Sequence, residues 1–225
     1  GDNSYANQLG KEAGRSIGGW MQWKVGKEHI QMRSALQEPF TKPNVARMAD
    51  QVTKSVDTLL ESMPESGPYD IFNEYLYKLP VLIICDMLGI PREDFNLFMG
   101  WSAGLATIMD PAPSLEKQAQ NNKLILDMEA YFRPLFAKKL ANPGHDLISS
   151  LMTRMDTPAG MSFDDIMIHV IMMFFAGHET TTNQIAFGLI ELLKNKDQWE
   201  LLKSSNDYYD SAVEEILRHQ TSRTS

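Results

Sequence analysis

Cysteine is almost absent from this chain. Cys85 is the only one among 225 residues, which excludes an internal disulfide framework. Long apolar runs are missing too. The most hydrophobic stretch, Ile166 to Phe175, contains His169 and falls well short of the ~20 residues needed to cross a bilayer. Positive charge is in deficit, with a formal net charge of −8. Nucleic-acid binding, which rests on a basic face, finds no support there. No basic, apolar leader opens the chain, and "GDNSYANQLG" lacks an initiator methionine. These absences lead to the expectation of a soluble, cytoplasmic protein with no membrane span and no nucleic-acid partner.

What is present is ordinary globular material: 43% hydrophobic and 22% charged residues, enough for one sizeable core. Turn-rich breaks fall at "MPESGPYD", "DPAPS", "NPGHD" and "DTPAG". Between them apolar residues recur every three or four positions, which predicts helices and no convincing strand. The expected helices cover roughly 28–38, 44–62, 71–88, 92–106, 116–140, 146–154, 162–194, 196–203 and 208–219. The chain reads as a single mainly α domain over 1–225, without repeats or low-complexity linkers.

One helix stands apart. Ser162 followed by Asp165 resembles a capping box, and the helix it opens is long enough to cross a domain, about 50 Å. Its first half, "IMIHVIMM", is nearly all apolar, yet its middle reads "FFAGHETTTNQIAF". Met172, Ala176 and Thr180 are four apart and share one face, with Phe175 and Glu179 in the adjacent row. Ala176 and Gly177 remove bulk where a neighbour could approach. The Thr180 hydroxyl can bond back to the carbonyl of residue 176, which tends to bend a helix. A carboxylate beside an alcohol can pass protons when both are partly desolvated. A zinc reading fails, because "HETTT" has Thr182 where H-E-x-x-H needs its second histidine.

The segment "AGHETTT" resembles the oxygen-binding motif of the cytochrome P-450 family, the haem-thiolate monooxygenases. Two other segments agree in order. "EHIQMR", followed by "SALQEPFTK", is similar to the family's C-helix, and "AVEEILRH", downstream of "GLIELLKNKDQWELL", to the E-x-x-R of its K-helix. "PVLIICDMLGIPREDF" is similar to the region between its E- and F-helices. The resemblance runs from about Gly26 to His219.

This resemblance implies a partial P-450 fold around a long central I-helix. It implies haem b as cofactor, dioxygen and a small apolar organic substrate. Electrons would come from NAD(P)H through a redox partner such as ferredoxin and ferredoxin reductase. By residue, Ala176 and Gly177 would make room for dioxygen against the haem, and Glu179 and Thr180 would be the acid–alcohol pair. His29 and Arg33 would reach the haem propionates, while Glu215 and Arg218 would lock the core. Met172 and Phe175 are candidate substrate contacts, and Trp101 to Leu124, with "MDPAP" at its middle, would belong to an access lid. The chain departs from the family in two ways. The family's N-terminal sheet region is absent, and so is the thiolate cysteine, which the family places after E-x-x-R. Cys85 lies in an apolar helix upstream and reads as a small buried hydrophobe, so no metal ligand is assigned. The 225 residues resemble an internal piece of the fold, from before the C-helix to the K-helix, inactive by itself. A non-catalytic homologue that binds a hydrophobic ligand or acts as an auxiliary scaffold is the alternative reading.

Overall fold

The computed structural model describes residues 9–105, 107–110, 112–157 and 160–219. Their architecture is helical, with no strand among the described residues. In chain order the helices are α1 (Lys11–Gly18), α2 (Gly26–Leu36), α3 (Lys42–Arg47), α4 (Ala49–Glu61), α5 (Lys78–Leu88), α6 (Phe95–Leu105), α7 (Leu115–Ala141), α8 (Leu147–Thr153), α9 (Phe163–Lys194), α10 (Lys196–Ser204) and α11 (Tyr209–His219). Among the described residues, no helix is long and apolar enough to cross a membrane.

α9 is the axis. It packs against α5, α8, α10 and α11, and also touches α1, α6 and α7. Ile166, Val170, Ile171 and Phe174 are fully buried along its first half. The predicted start at Ser162 holds, with a difference of detail. Ser162 Oγ accepts from the Asp165 backbone N–H at 3.1 Å, but the Asp165 carboxylate accepts from the Ser162 hydroxyl (2.6 Å) and makes no bond to its backbone. Aspartate is one methylene shorter than the glutamate of a full capping box. Phe98 joins α6, α7 and α9, meeting Trp101, Tyr131, Phe132 and Phe174 edge-on at 4.9–5.8 Å between centroids, the arrangement that ring quadrupoles favour.

Two expected helices are subdivided. The 44–62 helix breaks at Met48, where the N–H of Met48 bonds to the Val45 carbonyl in a tighter 3₁₀ turn. The 71–88 helix begins with a π-helical turn, Phe72–Leu76, closed by Tyr77 N–H to Phe72 O at 2.8 Å. Pro80 has no N–H to offer the Leu76 carbonyl, so the regular ladder starts only after that junction.

α1 is not predicted, because glycines at 10, 14, 18 and 19 lower its intrinsic propensity. Tertiary contacts hold it. Leu9, Ala13 and Ile17, four apart, are fully buried. Asn122 Oδ1, from α7, accepts from the N–H groups of Glu12 (2.9 Å) and Ala13 (3.1 Å). Arg15 pairs with the buried carboxylate of Glu129. Gly10 has φ +95°, and a Cβ there would lie 2.8 Å from the Asn122 amide, so glycine is required on both counts.

His169 is fully buried. Its Nδ1–H donates to the Asp165 carbonyl at 2.7 Å and its Nε2 accepts from the Met21 N–H at 3.1 Å. That pairing uses the neutral ring. Burial pulls its pKa below 6.5, outweighing the opposing bond to Asp165.

Two outcomes follow from this packing. Asn122→Ala leaves two N-terminal donors of α1 without an acceptor and should lower the unfolding free energy by about 1–2 kcal/mol in urea titrations; an unshifted midpoint would show the cap to be idle. Because the folded state keeps His169 neutral, stability should be level above pH 6.5 and decline as pH falls below it. In His169→Asn that decline should shrink, and an identical pH profile would contradict the assignment.

Candidate functional site

The segment around Ala176 does not interrupt α9, which runs unbroken from Phe163 to Lys194. Its polar residues are instead sorted by face. At 3.6 residues per turn each step rotates by about 100°, so Ala176, Glu179 and Thr180 fall within one arc of about 100°. All three are exposed. His178 lies about 150° from the centre of that arc and is buried, as is Thr182 one turn on. One turn therefore presents a small residue, a carboxylate and a hydroxyl outward while burying an imidazole behind them.

The Thr180 hydroxyl donates to the Ala176 carbonyl at 2.8 Å, the bond expected from the spacing, and Thr182 does the same to His178 at 3.1 Å. Thr180 also lines a groove of about 560 Å³ with Gln184, Val213, Ile216 and Leu217, between α9 and α11. Gly188 lets α11 approach, since a Cβ there would lie 2.8 Å from Ile216. Gln184 Nε2 donates to the Ile216 carbonyl at 2.9 Å.

Gly177 is placed differently from Ala176. The space it leaves faces Ile84 of α5, 3.2 Å from where its Cβ would sit. Its smallness thus serves helix–helix approach and does not add to the exposed arc. Met172 is buried, while Phe175, half-buried, lies against Trp20 at 5.2 Å between ring centroids. The Trp20 indole N–H is buried without a hydrogen-bond partner.

His29 and Arg33 share a face of α2, half-buried and exposed respectively. Lys24 takes Glu28 at 2.9 Å, and neither the His29 nor the Arg33 side chain has an ion-pair or hydrogen-bond partner among the described residues. The structure does not bring them against Glu179. α2 is carried toward α9 indirectly, through the preceding segment, whose Trp20 and Met21 touch Phe175 and His169.

Glu215 and Arg218 form a two-point ion pair on α11, at 2.6 and 2.7 Å. The hydrogen bond to Arg218 holds the Glu215 carboxyl below its usual range. Both are solvent-exposed, so the pair spans one helical turn and contributes little to stability here. Cys85 is buried in the core, and burial raises its thiol to about 12, with Asp86 adding to the effect. It is a packing residue and no thiolate.

In the Trp101–Leu124 segment, Ala106 and Pro111 lie outside the described residues. The two limbs meet where Gly104 receives Leu124, and Leu105 and Ile108 are buried. Asp110 Oδ1 accepts from Ala112 N–H at 2.9 Å within "MDPAP".

Sequence reasoning gave His178 no role beyond a rejected zinc site. Its Nε2 donates to the Tyr77 carbonyl at 3.0 Å, and Nδ1 pairs with the buried Ser102 hydroxyl of α6. Burial lowers its pKa, against the opposing bond to Tyr77. The available signal was its position behind Glu179 and Thr180 on the helical wheel.

Comparison with known proteins identifies the family. A family model described as "Cytochrome P450" matches residues 8–204. The vitamin D(3) 25-hydroxylase of Pseudonocardia autotrophica is 33% identical over 192 residues, covering 85% of this chain and 46% of that protein. A steroid C26-monooxygenase of Mycobacterium tuberculosis is 28% identical over 84% of this chain and 51% of its own. Among solved structures, CalO2 superposes with a TM-score of 0.89 at 25% identity, covering 96% of this chain and 55% of that one. P450BioI, in complex with an acyl carrier protein, gives 0.86 at 24% identity, over 97% and 55%. The chain spans about half the length of the curated relatives it matches. With a family match over residues 8–204 and a fold shared with solved P450 structures, the chain belongs to the cytochrome P450 family.

Proposed function

We propose that this chain supplies the oxygen-facing side of a haem monooxygenase that inserts one oxygen atom into an apolar organic substrate. The carrying observation is the turn of α9 that displays Ala176, Glu179 and Thr180 on one exposed arc of a helix whose first half is buried. Relatives named for steroid and vitamin D hydroxylation support an apolar substrate. A cytoplasmic setting, haem b, and electrons from NAD(P)H through a ferredoxin-type partner complete the reading.

The residues fit the cofactor on two sides. The guanidinium of Arg33 and the imidazole N–H of His29, whose side chains have no partner among the described residues, would each donate to a propionate, and the unpartnered Trp20 N–H offers a further buried donor. No residue here is assigned as the iron thiolate: Cys85, the only cysteine, is packed in the core on α5. When bound, haem supplies the activation of dioxygen. Ala176 keeps the arc clear of side-chain bulk. The Thr180 hydroxyl, whose hydrogen is held by the Ala176 carbonyl, presents its oxygen outward as an acceptor. Rotation off that carbonyl turns it into a donor, and the Glu179 carboxyl beside it is the group that can restore the proton. Phe175, half-buried just before this pair on α9, would meet the substrate, whereas Met172, expected beside it, is packed into the core.

A second reading, a binding protein without redox chemistry, draws on the largely apolar cavity of about 500 Å³ between α9, α10 and α11, lined by Phe187, Leu192, Leu201 and Ile216.

Haem titration of the purified chain separates the two. Binding should occur and weaken about tenfold or more in each of His29→Ala and Arg33→Ala, the loss of one charged hydrogen bond. The reduced carbon monoxide complex should lack a thiolate-type Soret band. Unchanged affinity in both variants would remove the propionate assignment, and failure to bind haem at all would favour the second reading.

A further inference from the structure

The contacts of His178 are more specific than a buried ring requires. Its two nitrogens engage two different elements: Nε2 the Tyr77 carbonyl before α5, and Nδ1 the Ser102 hydroxyl of α6. The Tyr77 ring stands edge-on to the imidazole, 4.3 Å between centroids at 87°. Next to it, Gly177 admits Ile84 of α5 at close range, and that approach brings the Tyr77 carbonyl within reach. Ser102 and His178 are both at least nine-tenths buried, so an apolar residue at 178 would strand a buried hydroxyl. Imidazole is a rigid ring that donates from one nitrogen and accepts at the other. Two bonds in fixed directions set the rotation of the helix as well as its distance from its neighbours.

We propose that His178 is a positioning residue: held from behind by Ser102 and Tyr77, it sets the azimuth at which α9 presents Ala176, Glu179 and Thr180, and it ties that turn to α6. The position of α6 and that of the acid–alcohol turn are thereby coupled. The lock stands on contacts within the chain. Its consequence for oxygen chemistry rests on the monooxygenase reading.

Native-state hydrogen exchange on the full chain, without haem, tests the lock independently of that reading. In Ser102→Ala, amides of 177–181 and of 98–105 should exchange about tenfold faster, the worth of one buried hydrogen bond. Amides of 166–170 should keep their wild-type rates. A parallel rise along all of α9 would mean that the pair merely stabilises the fold, and no rise at all would mean that it holds nothing; either overturns the proposal. His178→Gln, which retains a donor and an acceptor, should loosen the turn less than His178→Ala, and equal effects would also overturn it. Nitrogen NMR of the ring should show Nε2 protonated and Nδ1 bare; the opposite tautomer would contradict the contacts. Loss of haem binding leaves all these outcomes unchanged, so the two readings fail separately.

Discussion

A helix threaded through an apolar core must satisfy each of its polar side chains from within the protein, because water is not there to do so. α9 obeys this constraint, and the rest of the structure is arranged around it. His169 is paired to its own helix and to Met21, His178 to α6 and the start of α5, and Thr182 to the carbonyl one turn back. Each pairing recruits a different element to a fixed place along the rod. The segment joining α1 to α2 leans on His169, α6 and α5 converge on His178, and α11 reaches Gln184. The polar residues of α9 thus act as address marks along an otherwise uniform hydrophobic surface.

The turn that carries Ala176, Glu179 and Thr180 inherits its geometry from that arrangement. Glu179 and Thr180 can be exposed and chemically available because the residues behind them are anchored. A carboxylate buried in their place would pay a large desolvation cost unless paired, and His178 takes the interior position with groups suited to it. The two glycines of α9 serve the same economy of space. Gly177 admits Ile84, and Gly188 admits Ile216, so α5 and α11 approach one helix from different sides. Membership of the cytochrome P450 family accounts for the motif; the packing explains how this particular chain holds it out.

The helical character was legible because three- and four-residue spacing recurs along most of the chain, and the motif residues were legible because their types are unusual inside an apolar run. α1 was not legible, since four glycines mask a helix that exists by virtue of Asn122 and Glu129, more than a hundred positions away. The π-turn before α5 was hidden for a related reason: one missing N–H at Pro80 moves a helix start without altering the periodicity. Gly177 was expected to leave room for a neighbour, but which neighbour was not legible: the segment that meets it, Ile84 of α5, lies more than ninety positions away. His178 looked like a failed metal ligand because Ser102 and Tyr77 are far off in sequence.

The residue order alone determined that the chain is helical, that one helix is apolar enough to be central, and that a carboxylate and a hydroxyl sit together at its middle. Those properties follow from local spacing and side-chain chemistry, which need no partner. Which side of the helix each polar residue faces, which glycine admits which neighbour, and which histidine nitrogen meets which acceptor were decided only when distant segments packed together. A hydrogen bond is set by the position of two groups, and for the groups that matter here the second one lies on another helix.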